Sequence, residues 1–202
     1  MTTKLGRCLT LIIPVVNVGG QYNHLIARMF TELGAQSQLV PIETTIEDVR
    51  KMKADALATG GGPQRIKEAL REGTLGNLPN LVKQVDIPLL SICISHQLLG
   101  VIYGGDSGPA LAPEFGPVKI VVDAEDDILQ GLGPTFTAWG SHNDEVVRLP
   151  QAFIKLAHSE NCRIQAMKHE KNPLYGLQFH PEVSHTEKGR LVFQNFLSVV
   201  KR

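Results

Sequence analysis

I-P-L-L-S-I-C-I-S-H-Q-L-L-G-V-I-Y, residues 87–103, is the stretch whose reading decides the fold. Its first half is a short apolar run (Ile87, Leu89, Leu90, Ile92) of the kind that forms a buried parallel strand. Cys93 stands where that run stops, and the small residues Ser91 and Ser95 flank it two positions either side. The spacing then turns helical, with Leu98, Leu99, Val101 and Ile102 apolar, and Gly104 with Gly105 predicts the stop. A nucleophile between strand and helix, with small neighbours, has the layout of a nucleophile elbow. The tight turn lifts the side chain clear of the sheet. The helix N-terminus behind it offers N–H donors and the positive end of a dipole. Such surroundings favour thiolate over thiol. A buried structural cysteine is the commoner fate of a lone cysteine, and the local sequence leaves both readings open.

Upstream, the chain alternates strand and helix. Residues 8–16 (C-L-T-L-I-I-P-V-V) predict a first strand, with Pro14 bending or ending it early. N-V-G-G at 17–20 is a loop, and Leu25, Ile26, Met29, Phe30 and Leu33 mark one face of a helix that Gly34 ends. Strands follow at 38–42 and 54–59, with a short helix between them capped by Thr45. G-G-G-P at 60–63 is a second tight loop, and helical segments follow at 65–71 and 78–85. This alternation predicts an α/β fold with a flavodoxin-like, mostly parallel central sheet and helices on both faces. Ligand sites in such sheets lie beyond the carboxyl ends of the strands, where the loops at 17–20, 60–63 and 93–95 fall. After Gly105 the segments at 118–122, 135–139, 145–149, 153–158, 163–168 and 174–179 are short and β-like. They predict a smaller antiparallel sheet in the C-terminal half, closed by a helix over 187–200. No repeat or low-complexity tract divides the chain, so residues 1–202 are read as one domain.

The charge pattern excludes some functions. Twenty basic side chains match 20 acidic ones, so no net field favours nucleic acid or an anionic membrane. The apolar run at 9–18 is too short to span a bilayer, and residues 1–7 lack a signal-peptide layout. Cys8, Cys93 and Cys162 have no metal-ligand spacing and form an odd set, as expected of a reducing cytoplasm.

A thiolate nucleophile needs a base, a group that orients the base, and donors for the developing oxyanion. Y-G-L-Q-F-H-P-E-V, residues 175–183, puts His180 and Glu182 just past an apolar strand, with Pro181 fixing the chain direction between them. Each has a bland alternative: a satisfied half-buried histidine and a surface acid. The oxyanion donors would be backbone N–H groups, with Gly62 and Ile94 as candidates.

Taken together these pieces resemble the class I (triad-type) glutamine amidotransferases. Within them, they resemble the separate glutaminase subunit of archaeal two-subunit GMP synthases. The resemblance covers nearly the whole chain. It rests on N-V-G-G-Q-Y (17–22), G-G-G-P (60–63), P-L-L-S-I-C-I-S-H-Q-L-L (88–99), W-G-S-H-N-D-E-V (139–146), A-M-K-H (166–169) and Y-G-L-Q-F-H-P-E-V-S-H-T-E-K-G (175–189). It implies that Cys93 attacks the side-chain amide of L-glutamine to give a thioester and ammonia. His180 would be general base and acid, Glu182 its orienting group, and the Gly62 and Ile94 N–H groups the oxyanion hole. Gln97 would contact the substrate, and Ser141, Asn143 and Asp144 would hold its α-amino and α-carboxylate groups, largely by backbone. No metal or organic cofactor is implied here. ATP and Mg²⁺ would serve a partner, the ATP-pyrophosphatase (synthetase) subunit that aminates xanthosine monophosphate (XMP). Its docking side is expected near 98–103 and 105–115. The alternatives are a glutaminase of another synthase, of anthranilate or aminodeoxychorismate type, and a catalytically weakened regulatory or binding subunit.

The chain departs from the family at the elbow, where G-x-C-x-G is usual and Ser91 and Ser95 stand here. A Cβ costs something in so tight a turn, so glycine at position 95 is expected to give equal or higher activity. The usual Asp before G-G-Q-Y is also replaced, by Asn17 or Val18.

Overall fold

The computed structural model describes residues 10–201, so residues 1–7, Cys8 and the start of the first expected strand lie outside the described residues. The first half supplies β1 (Val15–Val16), α1 (Asn23–Glu32), β2 (Leu39–Val40), α2 (Ile46–Lys51), β3 (Leu57–Thr59), α3 (Ile66–Glu72), α4 (Leu78–Gln84), β4 (Leu89–Ile92) and α5 (Ile94–Ile102). The second half supplies β5 (Asp106–Val122), β6 (Thr135–Arg148), β7 (Phe153–His158), β8 (Ala166–His169), β9 (Leu174–Leu177) and α6 (Gly189–Val200).

The strands form one mixed sheet in the order β2-β1-β3-β4-β9-β8-β7-β5-β6. The first five in that order pair in parallel, and β8, β7, β5 and β6 continue antiparallel. The antiparallel strands therefore extend the central sheet instead of forming a separate smaller one. β9 is the hinge of this arrangement. It arrives last in the chain yet inserts beside β4, and its other edge accepts β8.

Two elements run longer than the sequence suggests. Residues 140–144 (G-S-H-N-D) read as a turn between two strands, but they pair with β5 and make β6 one continuous strand. β5 itself runs through Pro109, Pro113 and Pro117. Its first half has a partner on one side only, because β7 meets it at Val121 and Val122 alone, so a missing N–H costs little there.

Both faces are covered. On one, α1 and α6 bury Phe30, Phe193 and Phe196, with the first two rings edge to face at 5.0 Å. On the other, Leu78, Leu81, Leu98 and Leu99 of α4 and α5 are completely buried, or nearly so. The short helix α2 is set by its cap. Thr45 accepts from the Asp48 N–H, and the Asp48 carboxylate accepts from the Thr45 N–H in return. Thr45→Ala should lower stability by about 1 kcal/mol and the melting temperature by roughly 2–4 °C in thermal unfolding. The cleft described next should be unaltered, because none of its lining residues comes from α2.

Candidate functional site

Cys93 is placed by the strand before it and the helix after it. β4 ends at Ile92, α5 begins at Ile94, and the residue between them takes φ 58°, ψ −115°. This is a left-handed, strained conformation for a residue with a Cβ. The Cys93 N–H donates to the Leu177 carbonyl at 2.7 Å, so the turn is pinned to the end of β9. Because β4 and β9 run parallel with Ile92 opposite Leu177, the chain beyond β9 leaves the sheet on the same side as Cys93. Residues 178–182 follow that exit.

His180 is held from behind. Its N–H donates to the Trp139 carbonyl at 3.0 Å, and its carbonyl accepts from the Thr186 hydroxyl at 2.6 Å. Nδ1 of the ring meets Glu182 Oε1 at 2.7 Å, with both side chains buried. The other ring nitrogen is left for the Cys93 side, where His180 Cε1 and Cys93 Sγ would both stand within 4 Å of a Cβ placed on Gly61. Burial alone would push the imidazole toward neutrality. The Glu182 carboxylate, and then the Cys93 sulfur, outweigh burial and raise its pKa well above the usual histidine value. Of the other histidines near the elbow, His96 has the opposite fate. It is wholly buried, burial pushes it down to about 3, and its Nε2 meets the Ile164 carbonyl, so it is structural.

The loop at 60–62 follows β3, the other parallel neighbour of β4. A Cβ on Gly61 would stand 3.3 Å from His180 Cε1 and 3.5 Å from Cys93 Cβ, so this backbone lies directly against the pair. A Cβ on Gly62 would come within 2.6 Å of the Val18 carbonyl, which leaves room for glycine alone. Among the described residues, neither the Gly62 N–H nor the Ile94 N–H has a protein acceptor. Gly61, Gly62, Cys93, Ile94, Ser141 and His180 line one cavity of about 460 Å³, within the range of small-molecule sites.

Ser141, Asn143 and Asp144 reach the cavity from β6, the far edge of the sheet. The Ser141 carbonyl is 3.8 Å from Cys93 Sγ. Asp144 Oδ1 is buried without a hydrogen-bond partner and lies 3.9 Å from Arg65, an ion-pair distance too long for a hydrogen bond. Gln97 lines the cavity, but its amide nitrogen donates to the Asp144 carbonyl at 2.7 Å and to Gln178 at 3.1 Å. It braces the 141–144 segment from α5.

Several residues of this site were not singled out by the sequence. Asn23 donates to Asn17 and to the Gly61 carbonyl, and Tyr22 packs edge to face on His180 at 5.2 Å. Beneath the 141–144 segment, buried Glu114 accepts from Ser159 and Gln165 at 2.6 Å each and meets His142 Nε2 at 2.9 Å. These bonds, with His142 the first of those that lower it, hold Glu114 below the usual carboxylate value against the larger opposing pull of burial. Cys162 lies close enough to Glu114 and His142 for the three to share an ion. Both carboxylate oxygens are already taken by donors, and burial, with Glu145 next, raises the thiol far above its usual value. The cluster is a hydrogen-bond network closed around Glu114, with Gln165 Oε1 left without a partner.

The elbow serines also have partners. Thr59 Oγ1 donates to Ser91 Oγ at 3.0 Å, and Ser95 Oγ donates to the Gly60 carbonyl at 2.6 Å. The expectation that glycine at 95 would serve as well or better overlooked this bond, which no local pattern announces.

Comparison with known proteins gives the site its context. The family model described as glutamine amidotransferase class-I matches residues 14–200. The A-subunit of the glutamine-hydrolyzing GMP synthase of Ignicoccus hospitalis is 47% identical over 190 residues, covering 94% of this chain and 98% of its own. The protein of the same name from Saccharolobus solfataricus is 42% identical over 190 residues, with 94% and 99% covered. A solved structure from Thermoplasma acidophilum, described as a candidate A-subunit of GMP synthase, superposes with a TM-score of 0.87 at 34% identity, covering 95% of this chain and 94% of its own.

The His180–Glu182 pair sets a pH-dependent expectation. A raised pKa contributes stability that is fully present below the ordinary histidine value and is lost as pH rises through the raised one. In Glu182→Gln the His180 ring should titrate lower by NMR, because burial then acts unopposed by the carboxylate. The stability gap to the parent should be widest in acid and close with rising pH. Turnover should fall about 100-fold. An unshifted His180 titration would refute the assignment.

Proposed function

The chain belongs to the class I glutamine amidotransferases, and from that premise we propose that it hydrolyses L-glutamine as the glutaminase subunit of a two-subunit GMP synthase. The observation that carries the reading is the Cys93, His180 and Glu182 set, brought together at the adjoining ends of β4 and β9. Cys93 attacks the side-chain amide carbon after its thiol proton passes to His180. The carbonyl oxygen, now negative, accepts from the Gly62 and Ile94 N–H groups, whose lack of protein acceptors supports this role. His180 gives a proton to the departing nitrogen, and the C–N bond breaks to leave ammonia and a γ-glutamyl thioester. Water, deprotonated by His180, then attacks the thioester carbon; the C–S bond breaks, glutamate leaves, and the proton returns from His180 to the Cys93 sulfur. Glu182 holds the ring in the required orientation.

The 141–144 segment and Asp144 suit the amino-acid end of glutamine. The Asp144 oxygen, which has no hydrogen-bond partner, attracts the α-ammonium group, and Ser141 and Asn143 offer backbone groups. Gln97 contributes chiefly by bracing this segment.

Ammonia would pass to an ATP-pyrophosphatase partner that activates XMP, and Mg²⁺ and ATP would belong to that partner. The identity to GMP synthase relatives across nearly their whole length supports this over an anthranilate-type synthase. Among the described residues no helix is long and apolar enough to cross a membrane. Cys93 and Cys162 are free thiols, in keeping with the cytoplasm. The 98–103 helix face does not serve as the partner side along its start, since Leu98 and Leu99 are fully buried. Leu111 and Phe115, 68% and 64% exposed, are the better candidates, and Phe115 also lines the cavity.

With the synthetase, ATP and XMP present, the chain should release glutamate from glutamine, and Cys93→Ala should abolish that release while folding normally. Turnover retained by Cys93→Ala would rule out the thiolate mechanism. No release from folded parent protein would leave docking on the synthetase as the function.

A further inference from the structure

The two oxyanion donors proposed above lie on different elements. Gly62 is in the loop after β3, and Ile94 is the first residue of α5. An oxyanion hole works only if its donors keep a fixed separation before charge develops. Something must therefore hold the loop against the helix.

The carbonyls of the loop show what does. The Gly61 carbonyl accepts from the Gly20 N–H at 2.9 Å and from Asn23 Nδ2 at 3.1 Å. In a trans peptide the N–H points opposite to the carbonyl, so these two donors aim the Gly62 N–H. The preceding carbonyl, Gly60, accepts from Ser95 Oγ at 2.6 Å. Ser95 is fully buried and directly follows Ile94. Its hydroxyl thus joins the half of the hole on α5 to the half on the loop, one residue from the first donor and two from the second.

We infer that Ser95 is a positioning residue for amide hydrolysis, a side-chain clamp that sets the spacing of the two oxyanion donors. The inference rests on the glutaminase reading above. Loss of the hydroxyl leaves a buried carbonyl without this partner and lets the loop drift from the helix. The geometry of Cys93 itself does not depend on it, because the elbow is pinned through the Leu177 carbonyl. The clamp therefore acts on the transition state, where the oxyanion exists, and not on glutamine in its ground state.

The test is steady-state glutaminase kinetics of Ser95→Ala and Ser95→Gly, assembled with the synthetase and its substrates, beside Cys93 alkylation by iodoacetamide. Alkylation reads the thiol without using an oxyanion. Both variants should lose about tenfold in kcat with KM within twofold of the parent, and alkylation rates should be unchanged. Ser95→Thr, which keeps the hydroxyl, should recover most of the loss. A kcat within twofold of the parent in both Ala and Gly variants would overturn the clamp. So would a loss matched by slower alkylation, which would mean a disturbed thiol. Cys93→Ala, run in parallel, separates the two levels of failure: if it still turns over, the site reading fails and the clamp with it.

Discussion

Parallel pairing of β3, β4 and β9 is the constraint on which the rest of the molecule depends. Three strands that run the same way and end together deliver three loops to one edge of the sheet. The central loop bears Cys93, one flank bears the 60–62 backbone, and the other bears His180 and Glu182. A single hydrogen bond, Cys93 N–H to the Leu177 carbonyl, ties the elbow cysteine to the strand that delivers His180. Antiparallel insertion of β9 would send residues 178–182 to the opposite end of the sheet.

The same edge is braced from the antiparallel half. β6 crosses beside β5 and brings 141–144 to the cavity, although it lies at the sheet's far edge in strand order. That segment is fixed by polar groups and not by apolar packing. Gln97 donates to the Asp144 carbonyl, and Glu114 grips His142 from beneath. Buried polar groups are costly unless paired, so a carboxylate with three partners makes a stiff support. Thr186 does comparable work for the histidine, joining the His180 carbonyl to the Trp139 N–H. Most of the site's precision thus comes from residues that touch no reacting atom.

The serines at the elbow show how a departure from the family pattern can be built in. Ser91 and Ser95 add side chains where glycine is usual, yet both are wholly buried and hydrogen-bonded. Read alone, each is an obstruction in a crowded turn. Seen with Thr59 and Gly60, each is a cross-link between β3 and its loop on one side and the strand and helix of the elbow on the other.

What the sequence by itself determined is whatever depends on neighbours along the chain. The apolar run at 87–92, the cap at Thr45, the stop at Gly104 and the cysteine between strand and helix are all set within a few residues, and the structure contains each of them. His180 and Glu182 were legible as a pair because two residues past a strand end can face each other. Tertiary structure alone decided the rest. The G-S-H-N-D stretch looks like a turn until β5 lies beside it, and Asn23, Gln165 and Glu114 become part of the site only when distant segments meet. The role of Ser95 depends on a carbonyl 35 residues away. Short-range periodicity reports which way a side chain faces. It cannot report which backbone group from another strand will be waiting there.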